Sequence, residues 1–215
     1  SVFCTTMLAY ALSRKEFIIR KPLTTVLVIS MYVNAGLIPG YMLIKNLGLV
    51  GKYSVYIIPA LVDIFNFILV RTYIKGLPDS FVESARIDGA NEFSIYINII
   101  MPLIIPSIAM IALFTAVGAW NSWFDTYLYA SDKPKLHSLQ YVLMSILQQS
   151  QNQNTSAADA GAMALAAGAG STASKATPIA IRSAITIVAT LPILIVYPLV
   201  QKYFVVGMTI GGVKE

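Results

Sequence analysis

Between Lys21 and Lys45 the sequence carries no charged side chain, and between Glu92 and Asp125 it again carries none. Uncharged apolar runs of this length limit the fold more than any other feature. About 20 apolar residues in helical form cross a hydrocarbon layer of about 30 Å, with every backbone polar group satisfied inside the segment. Composition agrees: 57% of the 215 residues are hydrophobic and 12% are charged, against roughly a quarter charged in an ordinary soluble domain. A single water-soluble core of this size could not enclose so much apolar surface. The expected fold class is therefore all-α, a polytopic transmembrane helical bundle occupying 1–215 as one domain.

The expected spans run over about 23–44, 53–74, 99–124 and 180–201. Residues 1–12 are too few to cross on their own and read as the end of a span that begins upstream, so one or more N-terminal spans are missing from the chain. Gly36, Pro39 and Gly40 break the 23–44 stretch near its far end. Pro102, Pro106 and Pro192 are expected to kink their helices. The segment 131–178 reads as an external loop containing an Ala/Gly/Ser tract that is flexible or weakly helical. Nine of the fifteen Lys and Arg residues fall on one side of this arrangement (Arg14, Lys15, Arg20, Lys21, Arg71, Lys75, Arg86, Lys202 and Lys214). The positive-inside bias places 13–22, 75–98 and the C-terminus in the cytoplasm.

The same inventory excludes several functions. The net charge of +5 comes without a basic cluster interleaved with aromatics, so no nucleic-acid partner is expected. Cys4 and His137 are each the only residue of their type, which leaves no internal disulfide framework, no thiolate metal cage and no second imidazole for a zinc site or relay, and no catalytic or metal-ligating role is expected of either.

One polar segment, 78–98, departs from the rest. Ser80 and Glu83 have the spacing of a capping box that starts a short helix, and Gly89 suits a left-handed helix stop. Phe81, Val82, Ala85 and Ile87 are apolar between them, and Asn91-Glu92 begins a second helix. The expectation is a helical hairpin at the membrane surface whose exposed knob docks into a groove on a soluble partner.

Glu83-Ser84-Ala85, three residues, Gly89, nine residues, Ile99, one residue, Met101-Pro102 resembles the EAA loop of ABC-importer permeases, whose pattern is Glu-Ala-Ala, three, Gly, nine, Ile, one, Leu-Pro. All spacings fit; Ser84 stands for Ala and Met101 for Leu. Ala85-Arg86-Ile87-Asp88-Gly89-Ala90 and the tail Gln201-Lys202-Tyr203-Phe204-Val205 resemble the carbohydrate branch of that family. Trp120-Asn121-Ser122-Trp123-Phe124-Asp125 looks like its oligosaccharide and polysaccharide members. The resemblance implies an ABC importer type I permease fold. It further implies a second homologous permease, two cytoplasmic ABC ATPases that carry ATP and Mg, and an extracellular or periplasmic sugar-binding protein. The chain itself would be no enzyme and hold no cofactor, in keeping with its lack of a Gly-x4-Gly-Lys-[Ser/Thr] phosphate loop. Glu83, Ser84, Ala85, Asp88, Gly89 and Pro102 then form the loop that couples to the ATPase.

Polar residues within the apolar runs are the candidate substrate path: Asn34, Asp63 and Asn66, with Asp63 expected in mid-span. Trp120, Asn121, Trp123 and Asp125 join them from the external end of their span. The polar residues within the runs have a plainer role as interhelical hydrogen bonds and the aromatic ones as part of an interfacial belt, whereas Asp125 is the better sugar candidate because a belt does not require it. Two other functions stay open on sequence alone: an importer of the same build for amino acids, peptides or phosphate, and a secondary transporter that uses Asp63 for protons.

Overall fold

The computed structural model describes residues 1–33, 35–149 and 178–212, and among them every regular element is helical. The expected substrate-path residue Asn34 and most of the expected external loop lie outside the described residues. Two compact units emerge, one of Ser1–Gly118 with the chain from Pro198 on, the other of Ala119–Tyr197.

In the first unit α1 (Val2–Ser13) packs along α4 (Ile64–Lys75), with α2 (Arg20–Tyr32) leaning on both. α5 (Ser80–Ile87) and α6 (Glu92–Leu103) complete the core, and α7 (Ile105–Asn121) leaves it. Ala9, Leu12, Phe67, Val70, Val82, Ala85, Ile95, Tyr96, Ile104 and Ile111 form one buried cluster that joins all these helices except α2. α1 buries Thr5, Thr6, Ala9, Tyr10 and Leu12 and α4 buries Asn66, Phe67, Val70 and Ile74, and dispersion between close-packed side chains supplies the attraction where lipid replaces water.

Several expected spans are broken. The 23–44 stretch is two helices, α2 and α3 (Leu37–Asn46), parted where Val33 turns extended and Gly36 takes φ +89°. The 53–74 stretch holds a 3-10 turn (Tyr53–Tyr56), an irregular passage through Pro59, and then α4, which starts only at Ile64. In the 99–124 stretch α6 and α7 meet at a bend of 82°. Its cause is a pair of prolines four residues apart. Pro102 has no N–H to give the Asn98 carbonyl and its ring crowds that carbonyl, so Tyr96–Ile100 widens into a π turn with Met101 N–H reaching Tyr96 O. Pro106 then leaves the Pro102 carbonyl without its helical donor, and the axis turns at Ile104.

The second unit contains α8 (Phe124–Tyr129), a 3-10 turn (Pro134–Leu136), α9 over residues 139–149, and the first part of α10 (Pro178–Gly212). Within α10, Ala180–Pro198 is the one described helix long and apolar enough to cross a membrane unaided, and none of it is buried. Ile187, Leu191, Leu194 and Ile195 on α10, like Val26, Ile29 and Met31 on α2, are exposed. Whole helices with bare apolar sides belong in hydrocarbon or against another chain, not in water.

Candidate functional site

α5 begins at Asp79 without a side-chain cap: Asp79 has helical backbone angles, and its carboxylate is held by Lys15 Nζ at 2.6 Å. The capping box expected of Ser80 and Glu83 is not formed. Ser80 is already the first helical residue, its carbonyl accepts the Ser84 hydroxyl at 2.6 Å, and the Glu83 carboxylate stays exposed with no side-chain hydrogen bond among the described residues. Val82 and Ala85, one helical turn apart, are 3% and 6% exposed and press into the core. Phe81, Ser84, Ile87 and Asp88 face outward, with Ile87 86% exposed.

The helix ends as the glycine suggests. Gly89 N–H donates to Arg86 O and Ala90 N–H to Ala85 O, both at 3.0 Å, with Gly89 at φ +79°. This is the Schellman arrangement. A Cβ on Gly89 would meet nothing within 4 Å, so the demand for glycine comes from the backbone angle rather than from space. α6 starts at the expected place, its cap formed by Asn91 Oδ1 accepting Ser94 N–H at 2.8 Å. Pro102, closing the pattern, is exposed beside the π turn.

Around this hairpin the structure assembles a charged network that spacing alone does not reveal. The Arg86 guanidinium donates to Glu16, in the turn after α1, and through Nη2 and Nε to Glu92 Oε1 at 2.7 and 3.0 Å. The other Glu92 oxygen accepts the Tyr10 hydroxyl at 2.7 Å, and the Arg14 guanidinium sits 4.9 Å from the Tyr10 ring centroid. Deeper, Thr6 and Tyr96 share a buried hydrogen bond of 2.8 Å. The hydrogen bond from Arg86 pulls the Glu16 carboxyl down to about 2. Burial pushes the Glu92 carboxyl up, but Tyr10 and Arg86 together bring it below its ordinary value. Lys15 and Asp79 shift apart, Lys15 up and Asp79 down, each through its hydrogen bond to the other. A cavity of about 430 Å³ opens beside this network, lined by Met7, Tyr10, Phe17, Arg86, Phe93 and others.

The polar residues of the apolar runs fall into two sets. Asp63 is not in mid-span: it caps α4, its carboxylate accepting Asn66 N–H at 2.7 Å. Asn66 is 5% exposed, its amide 3.5 Å from the Thr115 hydroxyl and its Oδ1 buried without a partner. Both line a second cavity of about 430 Å³, walled also by Phe65 and Phe114. In the other unit, Trp120 Nε1 donates to Ala189 O at 3.0 Å and Asn121 Oδ1 accepts from Gln140 at 3.2 Å. Trp123 packs on Phe124 and Tyr127, and the Asp125 carboxylate accepts the Ser122 hydroxyl. Trp120 and Asn121 thus hold helices together, whereas Asp125 keeps a carboxylate oxygen beside an aromatic group.

Helices with bare apolar sides, a cavity that takes in Asp63 and Asn66 and a hairpin held by ion pairs are the features of an integral membrane permease. The chain belongs to the family described as the binding-protein-dependent transport system inner membrane component, which matches residues 3–210. It is 36% identical to the polygalacturonan/rhamnogalacturonan transport system permease protein YtcP of Bacillus subtilis (strain 168), over all of this chain and 71% of that protein. It is 39% identical to Protein LplC of the same organism, over 99% of this chain and 68% of LplC. Its fold matches the crystal structure of a bacterial ABC transporter involved in the import of the acidic polysaccharide alginate, with a TM-score of 0.73 and 32% identity over 94% of this chain and 68% of that one.

Proposed function

We propose that this chain is the membrane-spanning subunit of an ATP-binding cassette importer that translocates an oligosaccharide delivered by an external solute-binding protein. A second, homologous permease completes the path, and two ABC ATPases hydrolyse ATP with Mg on the cytoplasmic side, where 13–22, 75–98 and the C-terminus lie. The observation that carries this reading is the α5 hairpin. It presents Phe81, Glu83, Ser84, Ile87 and Asp88 outward, and it ends in a glycine stop at the position that the EAA pattern assigns. Glu83, relieved of capping, is available to a partner's donor; Ala85 seats the helix; Gly89 shapes the knob; Pro102 passes its motion to the bent span.

The relatives named for polygalacturonan/rhamnogalacturonan, for arabinooligosaccharides and for alginate support a carbohydrate substrate. In the path, Asp63, Asn66 and Thr115 offer hydroxyl partners between Phe65 and Phe114, and Trp123 and Asp125 offer a stacking face with an acceptor. Asn34 belongs to the same proposal. A proton-coupled mechanism loses support, since Asp63 is engaged as a helix cap.

The test is uptake of labelled oligogalacturonides, alginate oligomers and arabino-oligosaccharides by the reconstituted importer, with Gly89→Val beside the wild type. One of these sugars is taken up only with ATP and binding protein, and Gly89→Val abolishes that uptake while all subunits still copurify. Normal uptake by Gly89→Val overturns the assignment of the loop.

A further inference from the structure

We infer that Arg86 and Glu16 form an ionic clamp that makes α5 and α1 move as one body, so that Arg86 is a positioning residue engaged by this chain's own carboxylates rather than a contact for the ATPase. This rests on the reading of α5 as the ATPase-facing helix. α5 has only one turn of apolar anchoring, Val82 and Ala85, and is joined to its neighbours by short connections. A helix held so lightly would rotate under an applied push and dissipate it. Instead it is gripped at both ends by adjacent residues of one turn: Lys15 holds Asp79 at its start, and Glu16 holds Arg86 at its end.

The grip reaches further through Arg86. Its fork also takes Glu92, Glu92 takes Tyr10, and Tyr10 lies within α1 in the core. The Gly89 turn is what sets Arg86 and Glu92 side by side across the hairpin. Arg86 therefore closes a loop of contacts, α5 to α6 to α1 and back through Glu16, in which the planar guanidinium satisfies two carboxylates at once, a geometry that a lysine cannot reproduce. At 35% side-chain exposure, Arg86 is the most enclosed of these charges.

The experiment uses the full importer in proteoliposomes. It measures sugar imported per ATP hydrolysed, together with the spin-label distance distribution between α1 and the outward face of α5. Arg86→Gln lowers the import ratio by about fivefold and broadens the distribution; Arg86→Lys recovers part of both. Glu16→Gln, an exposed change that keeps the fold, gives a smaller loss in the same direction. The double variant Glu16→Gln/Arg86→Gln is no worse than Arg86→Gln alone. The clamp is overturned if Glu16→Gln and Arg86→Gln both leave the ratio and the distances unchanged, or if their losses add independently. Gly89→Val separates the two readings. If it uncouples while the Arg86 and Glu16 variants are normal, the loop keeps its role and the clamp falls; if all are normal, both fall.

Discussion

Glu92 has both carboxylate oxygens engaged, one by the Arg86 fork and one by Tyr10, at the entrance of α6. Removing the Tyr10 hydroxyl leaves its ring packed on Tyr96, 5.4 Å between centroids, but strips one charge-assisted donor from Glu92. Tyr10→Phe is expected to cost about 1 kcal/mol, read as a lowered midpoint in thermal unfolding of the detergent-solubilised protein. Glu16 supplies a pH test. Its folded pKa, lowered to about 2, lies below its ordinary value, so the stabilisation it gives is complete above that ordinary value and is lost as pH falls towards 2. A carboxyl-carbon NMR titration of Glu16 is expected to show a midpoint near 2 in the wild type and a return to the ordinary range in Arg86→Gln. Nothing local in the sequence pairs Glu16 with Arg86, because the partners are brought together by the fold of α1 against α5 and not by helical spacing. Glu92 and Arg86 were within reach of inspection, lying on either side of a glycine stop.

At the scale of elements, hydropathy identified the apolar runs but could not say which parts of them are helix. The passage before α4 is as apolar as α4 itself, yet Pro59 and the Asp63 cap keep it irregular. The signal was present: an Asx residue three positions before a polar Asn, followed by an unbroken run to Gly76, is a helix start rather than the middle of a span. The bend between α6 and α7 was legible, since two prolines four apart each remove a ladder bond. Its size of 82° was not, because a missing ladder bond permits a kink without setting its angle, which depends on the packing on either side. Restoring the missing donor with Pro106→Ala is expected to straighten this junction and to lower uptake, with spin labels on α6 and α7 moving apart. Phe67, fully buried where α4 meets the core, tests the packing: Phe67→Ala is expected to cost about 3 kcal/mol, measured as loss of folded, monodisperse protein on heating.

For the whole molecule, the informative fact is how much apolar surface stays bare. The first unit has a core that ties α1, α4, α5 and α6 together, yet α2 has no buried residue at all and the Ala180–Pro198 stretch of α10 is unburied throughout. Those faces need either lipid or another protein chain, and a single substitution distinguishes that need from ordinary surface. A charge placed on an exposed helix in water is nearly neutral, whereas at the middle of a membrane-spanning helix it costs about 3 kcal/mol. Leu191, 51% exposed near the centre of that stretch, is the position to use. Leu191→Arg is expected to reduce the alkaline-carbonate-resistant, membrane-inserted fraction severalfold, and Leu191→Ala to leave it nearly unchanged. Equal membrane retention of both variants would mean that this helix lies against protein or water rather than in the hydrocarbon, and the bundle would then have to be closed by another chain at that face.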